Sequence, residues 1–445
     1  MPETVSFSAF GGLNEVGSNG YMYRSGDEIL IIDCCLEIGL TSSKEEVLEY
    51  LKIPEACKIV GVCITHPHLD HLKDAATIAN IFRIPIFTSE LGEKFLKSYI
   101  DKNPEITEVP EICLFRDKEI FSLGNNFEIL PFEVAHSVPD SFGFNIKTKG
   151  KNIIHTGECK LTGYKLSSRA KNLEFLQQLG QEKVDLLIQD TLCINRKGVM
   201  YPEEPVVLKL LDLISEAPDN RHFIFASSKN LRRIINIWMR LFADGVNVIF
   251  KGGAMYRMSN IVGEVVNQEN VHNQFRKTNT HKHVFFGTGC QGEENSFITK
   301  LAKLTCFPRL EKGDRVYISS TLIPSEDELV FKAKIKRFRE IIQDIQREGA
   351  EVYVHYGQNK LLDLAGYVKT AKLHVGGHEF RDGIEYIVRA IRPLKFVGSN
   401  TPKERTPLVR WMINEMNQFE EENRNYSSGH QIEHLEVKNF QVVEL

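Results

Sequence analysis

The densest chemistry in this chain lies in seven residues, Thr65-His66-Pro67-His68-Leu69-Asp70-His71. Three imidazoles and a carboxylate coincide there, in a sequence with only 14 histidines. Neutral imidazole suits zinc, manganese or iron, and a carboxylate can be a terminal or a shared ligand. The segment therefore reads as a binding loop for one or two divalent cations. Alternate residues of an extended segment face the same way. His66 and His68 can address one ion while Asp70 and His71 address a second.

Such a loop needs a rigid strand behind it, and the apolar run KIVGVCITH (58–66) ends on it. Upstream, GYMYRSGDEILIIDCCLEIG predicts a hairpin turning at Ser25-Gly26-Asp27, with an apolar run at 29–32 that closes on Asp33. Residues 72–82 have helical spacing, and 84–89, 127–135, 142–148, 151–157 and 184–191 read as strands. Together these predict sheets with helices outside, an α/β layered domain. From about 200 the alternation lengthens. Helices are expected at 203–217, 229–244, 295–304 and 328–349, between strands at 222–228, 246–252, 283–289, 314–324 and 351–355. That pattern predicts a doubly wound parallel sheet. Residues 372–398 return to strand, loop, helix and strand, so the middle reads as an insertion.

With 55 basic and 59 acidic residues in 445, 42% hydrophobic and 26% charged, the composition is that of a soluble globular protein of two or three domains. No apolar run approaches the roughly 18–20 residues that span a bilayer, and the first twenty residues lack a secretory layout. The expectation is a cytoplasmic protein without membrane contact. Nine cysteines, an odd number without a CxxC pair, argue against a disulfide framework or a zinc ribbon. Of the net charge of −4, residues 415–445 carry −5, with seven acids against Arg424 and Lys438. These residues read as an acidic tail outside the fold, able to shield a cationic groove. Basic candidates for such a groove are Lys229, Arg232 and Arg233 near a helix start, and the run from Lys332 to Arg339.

The pattern HxHxDH resembles the signature of the metallo-β-lactamase fold, and later segments resemble that family in order. Asp33 matches its first motif, which implies a role in orienting ligands. His136 in FEVAHSVPDSFGFNI matches a further ligand. His155-Thr156-Gly157-Glu158 is similar to HTGD, with Glu158 where the family has a metal-bridging aspartate. The likeness narrows to the β-CASP nucleases of the ribonuclease J kind. FGGLNEVGSNGYMY resembles their opening segment, LLIQDTLCINRKG their DSTN motif with Asp190 as its acid, and LHVGGH their HVSGH, with His378 as the active-site histidine. FIFASSKNLRRI, FGTGCQGEENS and GDRVYISSTLIPSEDE resemble segments of the inserted domain.

The resemblance implies an α/β fold, a metallo-β-lactamase αββα sandwich with an inserted β-CASP α/β domain. The expected division is 1–197, an insertion at 198–358, resumption at 359–414 and the tail at 415–445. It implies His66, His68, His136, Asp70, His71 and Glu158 as metal ligands, Asp33 behind them, and Asp70, His378 and Asp190 as catalytic residues. His374, Gly376, Ser228 and Arg232 would bind substrate. Two divalent ions, Zn2+ or else Mn2+, would hydrolyse RNA endonucleolytically and from the 5′ end, in a chain that forms a homodimer. Two departures stand out. Gly376 replaces a serine, and the histidine expected about twenty residues after His378 is missing, with Asn400 or Gly398 in its place. The DNA-processing branch lacks it too, so a DNA nuclease is one alternative. A non-cutting protein that binds nucleic acid or a partner is the other.

Overall fold

The apolar runs of the sequence become strands covered on both sides. The computed structural model describes residues 4–36, 43–265, 283–325, 327–422 and 430–445. The chain forms two compact units, Met1–Tyr201 with Gly377–Leu445, and Pro202–Gly376. In the first, β1 (Val5–Gly11), β2 (Gly20–Ser25), β3 (Glu28–Cys34), β4 (Lys58–Cys63), β5 (Ile86–Thr88) and β6 (Ile112–Leu114) pair in chain order, antiparallel to β3 and parallel beyond it. A second sheet follows: β7 (Phe121–Leu123), β8 (Phe127–Val134), β9 (Ser141–Thr148), β10 (Lys151–His155) and β11 (Val184–Asp190).

Every residue of β3 and β11 is buried, which is why these strands read as continuous apolar runs rather than alternating ones. Phe7, Tyr23, Leu30 and Ile32 meet Ile129, Phe144, Ile153 and Ile188 between the sheets. Helices Ala75–Phe82 and Glu90–Ile100 cover the outer face of the first sheet through Ile78, Ala79, Leu96 and Ile100. Helices Ser168–Leu179, Arg381–Ile391 and Thr406–Glu422 cover the second through Leu176, Ile384, Val388, Val409 and Met412. The result is the expected αββα sandwich.

The other unit holds β12 (His222–Phe225), β13 (Asn247–Lys251), β14 (His283–Gly287), β15 (Arg315–Ile318), β16 (Glu351–His355) and β17 (Lys369–Ala371), all parallel in the order β13-β14-β12-β15-β16-β17. The chain then returns to the sandwich as β18 (Pro393–Ser399) beside β11, β19 (Glu433–His434) beside β18 and β20 (Val443–Glu444) beside β1.

Two expectations are corrected. The strand foreseen at the start of 372–398 forms instead at Lys369–Ala371 and pairs with Tyr353–His355. The chain therefore stays in the inserted unit until Gly376, not 358. The acidic segment is not a separate tail either. Helix Thr406–Glu422 runs into it, Ile432 and Val437 are buried, and β19 and β20 close an edge of each sheet, a common way to cover unpaired strand edges. Of that segment, residues 423–429 lie outside the described residues. Ending the chain at residue 429 removes both edge strands and two buried aliphatic side chains, each stabilising by roughly 1.5–3 kcal/mol. Thermal unfolding of the truncated protein is expected several degrees lower, and an unchanged midpoint would contradict this edge-closing role.

Candidate metal centre

The centre starts from one carboxylate. Asp33, at the end of β3, is fully buried with φ of 58°, in the left-handed region that Asp tolerates better than most residues. Its Oδ1 accepts the Thr65 backbone N–H and its Oδ2 the Thr65 hydroxyl, both at 2.7 Å. The same Oδ2 lies 2.7 Å from His71 Nδ1. The segment that follows β4 is thus pinned to the end of β3. His68 then opens the short helix Leu69–Leu72, which turns the backbone between the first two histidines and the Asp70-His71 pair.

Hydrogen-bond partners dictate which ring nitrogen carries the proton. The Thr65 hydroxyl gives its only proton to Asp33, so it must accept from His66 Nδ1, 3.0 Å away. His136 Nδ1 donates to the Gly377 carbonyl at 3.1 Å. In both rings Nε2 is left with a lone pair, the form a metal requires. A Cβ on Gly377 would sit 2.7 Å from the His136 ring, so this approach of backbone to imidazole needs glycine.

The lone pairs converge. His66 Nε2 is 2.9 Å from His68 Nδ1 and 3.5 Å from Glu158 Oε2, which lies 3.2 Å from His136 Nε2. Ligand atoms of His66, His68, His136 and Glu158 all fall within 4.8 Å of one another, and those of Asp70, His71 and Glu158 form a second such group. Glu158 belongs to both because its other oxygen, Oε1, faces His71 Nε2 at 3.1 Å. Buried acceptors aimed at one point repel each other unless a cation lies between them. Three imidazoles and a carboxylate fit a divalent one.

Electrostatics agree with that reading. Burial lowers His66 and takes His136 to about 4, which keeps both imidazoles neutral. Burial would raise Glu158, but His378 and His71 outweigh it and hold the carboxyl well below its usual range. At His378 burial is again overcome, here by the Asp190 and Glu158 charges, and the ring rises to about 9.

The structure brings His378 and Asp190 to this cluster. Asp190 ends β11 and its Oδ2 is 2.7 Å from His378 Nδ1, while His378 Nε2 is 3.8 Å from Glu158 Oε2. His155 is anchored by the Tyr23 hydroxyl at 2.7 Å. Three contributors escaped the sequence reading. Glu379 accepts backbone N–H groups of Leu161, Met200 and Phe380 at 2.6, 2.6 and 2.9 Å, which fixes the loop holding His378. Asn19 Nδ2 is 3.0 Å from His71 Nε2, and Asn400 Nδ2 donates to Glu158 Oε1 at 2.7 Å. The signals for the last two were present, Asn19 in the opening motif and Asn400 where a histidine was expected.

Ser228, Arg232, His374 and Gly376 belong to the other unit. Ser228 is half-buried after β12, and Arg232 is half-buried in the first turn of helix Leu231–Ala243. Arg233 is not a phosphate ligand. Its guanidinium is fully buried, ion-paired with Glu203, and donates to the carbonyls of Ser319 and Val375 at 2.8 and 3.0 Å and to His374 Nδ1 at 3.1 Å. In the run on helix Glu328–Arg347, Lys332 pairs with Glu328, Arg337 with Glu294 and Arg339 with Asp363, the pattern of a solvated helix face.

Residues 29–204 match the family model of a β-lactamase superfamily domain, and residues 219–338 that of the ribonuclease J β-CASP domain. Ribonuclease J of Thermus thermophilus is 25% identical over 435 residues, covering 93% of this chain and 71% of that protein. The Corynebacterium glutamicum Ribonuclease J is 25% identical, covering 86% and 52%, and Ribonuclease J2 of Bacillus subtilis 22%, covering 89% and 69%. A crystal structure of an Enterococcus faecalis protein of unknown function shares the fold over 99% of this chain and all of its own, with a TM-score of 0.65 at 13% identity. The chain is a metallo-β-lactamase-fold protein with a β-CASP domain. Within that class it is ribonuclease J-like.

If Asp33 sets the ring orientations, Asp33→Asn should weaken divalent-metal binding about 10–100-fold, the usual cost of losing such a partner. Competition against a chromophoric chelator measures this, and equal affinities in a folded variant would remove Asp33 from the site.

Proposed function

We propose that this protein is a metal-dependent ribonuclease that hydrolyses RNA phosphodiester bonds, cutting internally and also from the 5′ end. The observation that carries the reading is the convergence of His66, His68 and His136 on Glu158, with the His378–Asp190 pair facing the same carboxylate. Zn2+ is the ion we expect there, with Mn2+ as the substitute, since the donors are imidazole and carboxylate.

A divalent ion in this cluster supplies positive charge that acidifies water and offsets the charge of a scissile phosphate. The chain's own residues do the rest. His378 carries a proton on Nε2 at neutral pH, because its ring is held near 9 while Nδ1 is tied to Asp190. The attacking water gives up a proton to bulk solvent, its oxygen bonds to phosphorus as the P–O bond on the opposite side breaks, and His378 Nε2 gives its proton to the departing oxygen. Asp190 holds the ring in place through Oδ2, while its Oδ1 accepts the Leu192 N–H at 3.0 Å. Asp70 and His71 line the Oε1 side of Glu158.

DNA stays in the substrate panel because no histidine stands at 398 or 400. The test is incubation with labelled single-stranded RNA and DNA bearing 5′-phosphate, 5′-hydroxyl or 5′-triphosphate. Cleavage of RNA is expected, abolished by a chelator. His378→Ala should lower kcat by about 10²–10⁴, the range for a lost general acid, with bound metal unchanged. Full activity after chelation, or in His66→Ala, would refute the proposed site. DNA cleavage without RNA cleavage would favour the alternative substrate.

A further inference from the structure

The two ligand groups around Glu158 are not equivalent. The first has four buried donors with two imidazole tautomers fixed by outer hydrogen bonds. The second has three donors, of which Asp70 is only half-buried, and two side-chain amides lie against the other two. Asn400 is buried at φ of 52°. Its backbone N–H donates to the Gly12 carbonyl at 2.7 Å, and its Oδ1 accepts the Gly17 N–H at 3.2 Å. That backbone donor settles the amide's orientation. Turned over, it would set N–H against N–H at Gly17 and oxygen against oxygen at Glu158. Nδ2 therefore points its hydrogen at Glu158 Oε1, the oxygen a second ion would need. An amide nitrogen that donates a hydrogen offers a cation no lone pair. Asn19 Nδ2 lies 3.0 Å from His71 Nε2, the other atom such an ion would take, and Asn19 Oδ1 accepts the Tyr21 hydroxyl at 2.8 Å.

We infer that this centre holds one ion tightly, between His66, His68, His136 and Glu158, and that the Asn400 carboxamide takes the place of a second ion at Glu158 Oε1. The inference rests on the metal centre proposed above and concerns its stoichiometry. A neutral hydrogen-bond donor satisfies the second carboxylate oxygen without adding charge. Asp70 and His71 remain as polar walls of the site rather than a closed ligand set. Asn400 is then a specificity-determining residue, and its replacement by a group with an available lone pair or a charge should open the second position.

Metal content by elemental analysis, on full-length protein loaded with excess Zn2+ and then desalted, reads this directly. Wild type is expected to keep one zinc per chain, and Asn400→His and Asn400→Asp two. Co2+ titration gives an independent readout, with visible absorption saturating at one equivalent in wild type and two in the variants. Aspartate keeps the positive-φ tolerance of asparagine, so Asn400→Asp guards against a misfolded histidine variant, and circular dichroism checks both. Two zinc ions retained by wild type would overturn the inference, as would a folded Asn400→Asp still saturating at one. No retained zinc in wild type would instead overturn the metal centre itself.

Discussion

The buried carboxylate of Asp33 is the constraint on which the centre depends. It sits at the end of a strand with no exposed residue, it receives three hydrogen bonds at 2.7 Å, and those bonds reach both ligand groups. A charged acceptor in a low-dielectric interior makes strong, directional hydrogen bonds, and leaving one unmade is costly. Proton positions follow from that cost. Because Oδ2 takes the Thr65 hydroxyl proton, Thr65 must accept from His66, and the lone pair of His66 turns inward. Because Oδ2 also takes His71 Nδ1, the Nε2 of that ring faces Glu158. One aspartate, none of whose atoms need touch an ion, sets two adjoining rings whose centroids lie 4.0 Å apart.

Glu158 is the complementary element. It follows β10, whose last residue, His155, is clamped by Tyr23 between the two sheets. The frame therefore delivers the carboxylate to a fixed place. Oε2 faces His66, His136 and His378, and Oε1 faces His71 and Asn400. Its charge is the sum of opposed effects, burial against four nearby rings, and the rings prevail. The same charge helps keep His378 protonated, so in the proposed reaction the metal and the proton donor share one side chain.

What could be read from the sequence has a physical pattern. The candidate ligand loop was legible because its chemistry is local, with His66, His68, Asp70 and His71 adjacent in the chain. The sandwich was legible because strands buried on both faces leave continuous apolar runs. Features decided by long-range pairing were not. Lys369–Ala371 belongs to the inserted unit only because Tyr353–His355 lies beside it, and no local pattern announces that partner. Two-residue edge strands such as Glu433–His434 have no periodicity to detect. Arg233 misled for a related reason. A basic residue at a helix start looks the same in sequence whether it meets a phosphate or, as here, a buried Glu203.

Positions 158 and 400 show how two departures from a family pattern can be one change. A glutamate has one methylene more than the aspartate it replaces, and its outer oxygen reaches an amide that stands where a histidine was expected. Taken alone, the longer acid would crowd a ligand set built for a shorter one, and the asparagine would leave a carboxylate oxygen without its cation. Together they satisfy each other at 2.7 Å. The asparagine also bonds to the chain at Gly12 and Gly17, so the loop leading to Asn19 is held by the same residue that faces Glu158. A histidine at 400 could not make both the Gly17 and Glu158 contacts with the short, planar geometry of a carboxamide. The two residues are best understood as a pair, in which the carboxylate is shaped for a neutral donor on one oxygen and a cation on the other.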